Sequence, residues 1–551
     1  MFFIKKKLPR AHAPGEPLLH ENHPRPVTRR GLLGAGLASA PALVVGPAWL
    51  GAALKSSKAR AAGVSVPGLD NDIAALLDNT QCNVATNATG IPFICFDLAG
   101  GANLVGSEVI VGQQGGQANF LTTAGYGKMG LPGNMVPTAG SSFVSSALGL
   151  LWHSDGAILR GILTKATSAA TTAGTNGAVI CAMSQNDTGQ NPHNPMYGIA
   201  IAGSRGKLLN LVGNESTVSG GNSAAPMYMI NPLFQPTTIA LPSDDVGLVS
   251  TGGQSADPVS IAVLESQARI SGGTNLYAGS SSTGSEFTGM LANPNGSTAG
   301  VTFYPSSTAP SAGADAALKS QVRCAYAQSA YTAAAFGNPA NLDPTQDPKI
   351  IGGTPIFTAA DFTDSDIQKT ASVMKLVLNG YAAAGTITLS GFDYHDSTRA
   401  TGETRNFKAG QMIGAVLEYA QRVGTPVMIY VFSDGSLSSS SMVDTSAAGR
   451  DKLAWQGDNQ SVASTFFLVY SPNGRPALAN GVAQQQIGWF TSDGSVDSTS
   501  SPAANSVTQI PETVILNYMA LMGNQGQFSA LFPQNGLGTA QSSMIAFNRI
   551  V

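Results

Sequence analysis

The chain has 551 residues, enough for one large core or two to three domains. Hydrophobic residues make up 43% and charged residues only 11%, which describes a globular, loop-rich protein without the usual charged surface and excludes a highly charged disordered chain. The formal net charge is −3, and it is unevenly spread.

Residues 1–61 read as an export address. Thr28-Arg29-Arg30-Gly31-Leu32-Leu33 precedes an apolar, Gly/Ala-rich run to Leu54, followed by Lys55, Lys58 and a small-x-small end at Ala59-Arg60-Ala61. A charged start, an apolar stretch and such an end define an export signal. The Arg pair makes it resemble a twin-arginine signal, read by the twin-arginine export machinery. The apolar stretch, about 20 residues, is also long enough to stay in a bilayer as an anchor, and the sequence leaves both outcomes open. Without this segment 19 Lys and Arg face 30 Asp and Glu, a net charge near −11. That sign disfavours nucleic acid and anionic membranes as partners. Only His153, His193 and His395 then remain, so a metal site would combine them with oxygen donors.

The four cysteines contain no C-x-x-C, so neither a zinc knuckle nor a thioredoxin-type site is expected. Cys95 and Cys181 lie in apolar runs and read as core. Cys82 and Cys324 lie in more polar surroundings and could pair in an oxidising compartment. Residues 91–96 read as a buried strand ended by Asp97-Leu98-Ala99-Gly100-Gly101, with Pro92 tolerated near its start. Gly125-Tyr126-Gly127-Lys128-Met129-Gly130 matches G-x-G-x-x-G. Leu131-Pro132-Gly133 follows at once, so it does not open a helix as a dinucleotide site requires and reads as a loop. Residues 178–183 form a further strand candidate, and 157–163 a weaker one, interrupted by Arg160. Residues 203–320 are rich in Gly, Ser and Asn and read as long loops, with a loop-rich insertion placed at about 203–365.

The second half is more regular. Ile367, Val373, Leu376 and Val377 predict a helix over 366–383, and 386–389 a strand. Met412, Ile413, Val416 and Leu417 predict a helix over 408–423, and 426–432 and 465–470 are apolar strands. Strands alternating with helices imply an α/β fold with a parallel sheet covered on both faces, whose ligand sites lie beyond the carboxyl ends of the strands. Just past 386–389 comes Gly391-Phe392-Asp393-Tyr394-His395. If the backbone stays extended, Asp393 and His395 point the same way, about 7 Å apart along the chain. A carboxylate and an imidazole on one side of a strand end form a plausible metal half-site. The competing reading is a turn aspartate and a solvated histidine. Phe432-Ser433-Asp434 puts another acid at the same edge, and Gly457-Asp458-Asn459-Gln460 precedes the strand at 465–470. Trp455 and Tyr394 either stack on a ligand such as a sugar or simply pack.

Gly391-Phe392-Asp393-Tyr394-His395, a following helix, Phe432-Ser433-Asp434 and Gly457-Asp458-Asn459 occur in the order seen in an exported bacterial family, domain of unknown function 1501. That family is similar to the alkaline phosphatase and sulfatase superfamily. The twin-arginine start fits it, as does a tail in which a helix through Val514-Ile515-Leu516 leads to Leu531-Phe532-Pro533. The resemblance covers roughly residues 90–535. Three motifs depart from it. Gly100-Gly101-Ala102-Asn103 has Asn103 where an Asp ligand is expected. Phe432-Ser433-Asp434-Gly435-Ser436 replaces a Phe-Ser-Glu-Phe-Gly-Arg run. Asp458-Asn459 replaces an Asp-His pair. His193, in Gln190-Asn191-Pro192-His193-Asn194, is kept.

The resemblance implies an alkaline phosphatase-like central, mostly parallel sheet flanked by helices, in a single domain over 62–551. It implies metal ligands among Asp393, His395, Asp458 and His193. Each lost ligand weakens a two-metal centre of the kind that stabilises attacking and leaving oxygens together. What remains is one divalent ion, such as calcium or magnesium on oxygen ligands, or none. Two functions follow. One is a periplasmic or cell-surface protein, weakened or inactive as a catalyst, that binds a small molecule or an envelope protein. The other is a metal-dependent hydrolase of phosphate or sulfate esters. No G-x-S-x-G elbow and no Walker-type loop occurs, and no residue stands out as nucleophile.

Overall fold

The computed structural model describes residues 88–551, apart from 140–142, 185–190, 232–233, 250–326, 328–329, 332–333, 337 and 504–505. The chain divides into Met1–Ala62 and Gly63–Val551. The export segment and the Cys82–Cys324 pairing expected from the sequence, and about half of the expected loop-rich insertion, fall outside the described residues.

In chain order the main elements are β1 (Phe93–Leu98), α1 (Thr123–Lys128), α2 (Ala157–Lys165), β2 (Thr175–Ile180), α3 (Met196–Ile201), β3 (Leu209–Gly213), β4 (Thr237–Thr238) and α4 (Pro242–Gly247). They continue with α5 (Ser365–Leu378), β5 (Ala382–Leu389), α6 (Ala400–Val423), β6 (Val427–Ser433), β7 (Leu437–Asp444), β8 (Lys452–Asp458), β9 (Thr465–Tyr470), β10 (Gln486–Ile487) and α7 (Gln509–Leu521). Eight strands form one sheet in the order β10-β2-β9-β6-β1-β5-β3-β4. All neighbours in it are parallel except β9, which runs against both β6 and β2. β7 and β8 form a separate antiparallel hairpin.

The central strands are apolar at nearly every position because both faces of the sheet are covered. β6 sends Val427, Ile429 and Val431 into one core cluster and Met428, Tyr430 and Phe432 into the other. The first cluster is closed by α2, α5 and α6 through residues such as Ile158, Val373 and Ile413. The second is closed by α3 and α7 through Ile199, Val514 and Ile515. The α/β expectation of a mostly parallel sheet with helices on both faces is met. No helix among the described residues is long and apolar enough to cross a membrane.

Several local expectations are corrected. The run at 157–163 is a helix, not a strand. Ile158, Leu159 and Ile162 share its buried side, and half-buried Arg160 reaches across to α6 to pair with buried Glu403 at 2.6 Å. Gly161 lets the backbones of α2 and α6 touch: a Cβ there would sit 2.1 Å from the Phe407 carbonyl oxygen. The glycine motif at 125–130 is not a loop throughout, since Thr122 Oγ1 accepts from Gly125 N at 3.1 Å and caps α1. The helix predicted over 366–383 stops at Leu378. Gly380, at φ 71°, turns the chain, and the alanines after it begin β5. β1 runs two residues further than expected, with Asp97 inside it. Within the expected insertion, β3 and β4 extend the sheet.

Candidate metal centre

Because β1, β5 and β6 are adjacent and parallel, their carboxyl ends open on one edge. β9 runs the other way, so its start faces that edge too. Two loops lie side by side there. Ala99 N donates to Leu389 O at 2.9 Å, and Phe392 N donates to Ala99 O at 3.1 Å. Gly100, at φ 125°, passes so close that a Cβ would stand 2.3 Å from Asp393 N. No other residue fits that approach.

The segment after β5 alternates. Phe392 and Tyr394 are buried, while Asp393 and His395 are exposed on the same side. Tyr394 Oη donates to Asn406 Oδ1 at 3.0 Å and accepts from Asn103 N at 3.1 Å, anchoring the loop between its two exposed residues. His395 Nε2 lies 2.7 Å from Asp393 Oδ1. Asp458 arrives from the hairpin. It pairs in register with Leu437, and Asn459 N donates to Ser436 O at 2.8 Å, so the hairpin closes back onto the end of β6. One donor atom from each of Asp393, His395 and Asp458 lies within 4.8 Å of the others, and all three residues are exposed.

This donor set fits one divalent ion. Two carboxylates and an imidazole suit transition metals such as zinc or manganese. Ligand atoms around one such ion stand about 3–4 Å apart, so small movements would close the site. Three protein ligands leave positions open for water or a ligand oxygen.

The other implied residues lie elsewhere. His193 is fully buried, against Phe432, and is not part of the exposed cluster. Its Nε2 lies 2.8 Å from Ser184 Oγ, which itself donates to the Asp434 carbonyl at 3.0 Å. Ser184 therefore accepts from Nε2–H, and Nδ1 is left with no hydrogen-bond partner among the described residues. Burial pushes the His193 pKa down to about 4, so it is neutral. Asp434 is buried as well, and Asn191 Nδ2 donates to its carbonyl oxygen at 2.5 Å and to its Oδ1 at 3.2 Å. Asn103 is no substitute ligand: its Nδ2 donates to Leu437 O at 3.0 Å and its Oδ1 accepts from Val105 N at 3.2 Å. Trp455 and Tyr394 are buried against each other, with the Arg399 guanidinium 4.3 Å over the Trp455 ring. Both pack, and neither offers a face to a ligand.

Two residues were missed. Asp97 is buried at the end of β1, where its carboxylate accepts from Ser223 N at 2.8 Å and Ser223 Oγ at 3.2 Å. Burial pushes its pKa up to about 7, and the Asp434 charge adds to the rise. An acid inside an otherwise apolar run was the available signal. Arg405 is exposed on α6, beside Gly391, two residues before Asp393. Nothing in the sequence marked it. No family model matches the chain, nor does any curated protein or solved structure.

Proposed function

We propose that the protein binds one divalent cation through Asp393, His395 and Asp458 and uses that edge for binding, with the hydrolytic chemistry of a phosphatase- or sulfatase-like ancestor weakened or lost. The observation that carries this reading is the convergence of three donors from two segments more than sixty residues apart in sequence. The ordered motifs around Asp393, Asp434 and Asp458 support the lineage, and the twin-arginine-like start supports a periplasmic or cell-surface location. One ion rather than two follows from the commitments of the remaining candidates. His193 and Asp434 are buried and are not part of the exposed cluster, and the Asn103 amide is spent on backbone.

A second reading, hydrolysis of phosphate or sulfate esters, is favoured by Arg405. A bound cation with open positions and a neighbouring guanidinium suits an anionic ester group.

Elemental mass spectrometry of the purified protein, with an Asp393→Ala/His395→Ala variant, tests the cation. About one equivalent of metal, lost in the double variant, is expected. No metal after incubation with zinc, manganese and calcium salts would sink both readings. Cation-dependent cleavage of aryl phosphates or sulfates, lost in Arg405→Ala, would select the hydrolase.

A further inference from the structure

A second concave site opens at the end of the sheet carried by β10. It encloses about 450 Å³, within the usual range of small-molecule sites. β10 is parallel to β2 and lies three strands from β6, roughly 14 Å across the sheet at about 4.8 Å per strand. It is therefore separate from Asp393, His395 and Asp458.

No charged residue lines this cavity among the described residues. One side is Trp489, which is partly exposed. Its Nε1–H donates to Asp497 Oδ2 at 3.2 Å and Ser500 Oγ at 3.3 Å, so the indole is held in one orientation. Trp152 and Trp455 are sealed in the core against other rings, whereas no aromatic ring among the described residues packs on Trp489. The rest of the lining mixes the small apolar side chains of Ala483, Pro502 and Ala540 with amides, hydroxyls and glycine backbone. Gln484 Oε1 accepts from Asn480 Nδ2 at 2.7 Å, which leaves its own amide N–H groups to donate. Gln486 is buried with its amide fixed to Gly112, giving a rigid wall. At Gly115 a Cβ would meet only Asn119, at 3.9 Å, so the backbone there is open. Ser543 adds an exposed hydroxyl.

We infer that this cavity binds a neutral carbohydrate. A held indole face beside uncharged hydrogen-bonding groups matches a sugar ring, which presents an apolar C–H face and a rim of hydroxyls. The lack of charge in the lining argues against nucleotides and other phosphate-bearing ligands, which call for cationic or clustered N–H partners. The inference does not rest on the cation reading, and either can fail alone.

Triacetylchitotriose, cellotriose and maltotriose would each be titrated into the full-length protein to about 10 mM, a range that captures even weak binding. Tryptophan fluorescence and calorimetry would be followed together. The expected result is a saturable fluorescence change with at least one trisaccharide, absent in Trp489→Phe. By calorimetry Trp489→Ala should bind about tenfold or more weakly, as expected on removing a central aromatic anchor. Gln484→Ala, at a half-exposed position, should also weaken binding while melting like the parent. No saturation with any of the three, or affinity unchanged in both alanine variants, would overturn the inference.

Discussion

At the scale of single residues, burial decides what each titratable group can do. His153 is fully buried and satisfied on both nitrogens: Nε2 donates to Met135 O at 3.0 Å and Nδ1 accepts from Asp155 N at 3.3 Å. Burial first, then the Lys452 charge, pushes its pKa down to about 4, whereas an unfolded histidine titrates near 6.5. The unfolded chain thus takes up the proton first. The contribution of His153 is complete above about pH 6.5 and is lost as pH falls through about 4, amounting to roughly 3 kcal/mol. Urea unfolding between pH 7.5 and 4 should show the parent losing more stability than His153→Gln. Equal losses would mean that the imidazole is not held neutral. The sequence already restricted a mature chain to three histidines, but it could not separate the two buried ones from exposed His395. That depends on what packs over them.

At the scale of elements, ends are set by partners distant in sequence. The apolar face of α6 predicted a helix from residue 408, yet the helix begins at Ala400. Its first turns are polar and no side chain at Arg399 caps it. The cap comes from the end of β7, where Asp444 Oδ2 accepts from Arg399 N at 2.8 Å and Ala400 N at 3.1 Å. Asp444→Ala should therefore cost about 1–2 kcal/mol, as loss of an N-cap does, read as a lower urea midpoint with the slope unchanged. Arg399 and Glu403, at the start of α6, meet Lys452 of β8 in a buried ion cluster that ties α6 to the hairpin. The end of α5, by contrast, was legible. Asn379-Gly380 is a helix-stop signal, outweighed in the prediction by the alanines that follow. The strand misread at 157–163 has another cause. Six apolar or small residues around Arg160 fit either period, and only contact with Gly410 and Gly414 of α6 selects the helix.

At the scale of the whole molecule, the sheet brings together what the chain separates. Asp393 follows β5, Asp458 closes the β7–β8 hairpin, and both reach the same edge because β1, β5 and β6 are parallel and β9 is reversed. A ligand that binds only this folded arrangement must stabilise it. At a hundredfold excess over Kd the gain is about 2.7 kcal/mol. For a chain of this size that is a melting shift of a few degrees. Zinc, manganese or calcium should raise the melting temperature of the parent and leave Asp458→Asn unmoved. An equal rise in both would place the ion elsewhere.

The sequence by itself determined the layered α/β architecture, because strands buried on both faces and amphipathic helices carry distinct periods that local composition records. It also placed Asp393 and His395 on one side provided that the backbone past β5 stayed extended, a condition met by the alternation of buried and exposed residues over 392–395. Only the tertiary structure decided that Asp458 joins them while His193 and Asp434 are buried. Only the fold, likewise, left Trp489 partly exposed beside an uncharged cavity while Trp152 and Trp455 went into the core. Those outcomes depend on strand order, on the return path of one hairpin and on which loops cover which edge. These are contacts between residues tens to hundreds of positions apart, and no local pattern encodes them.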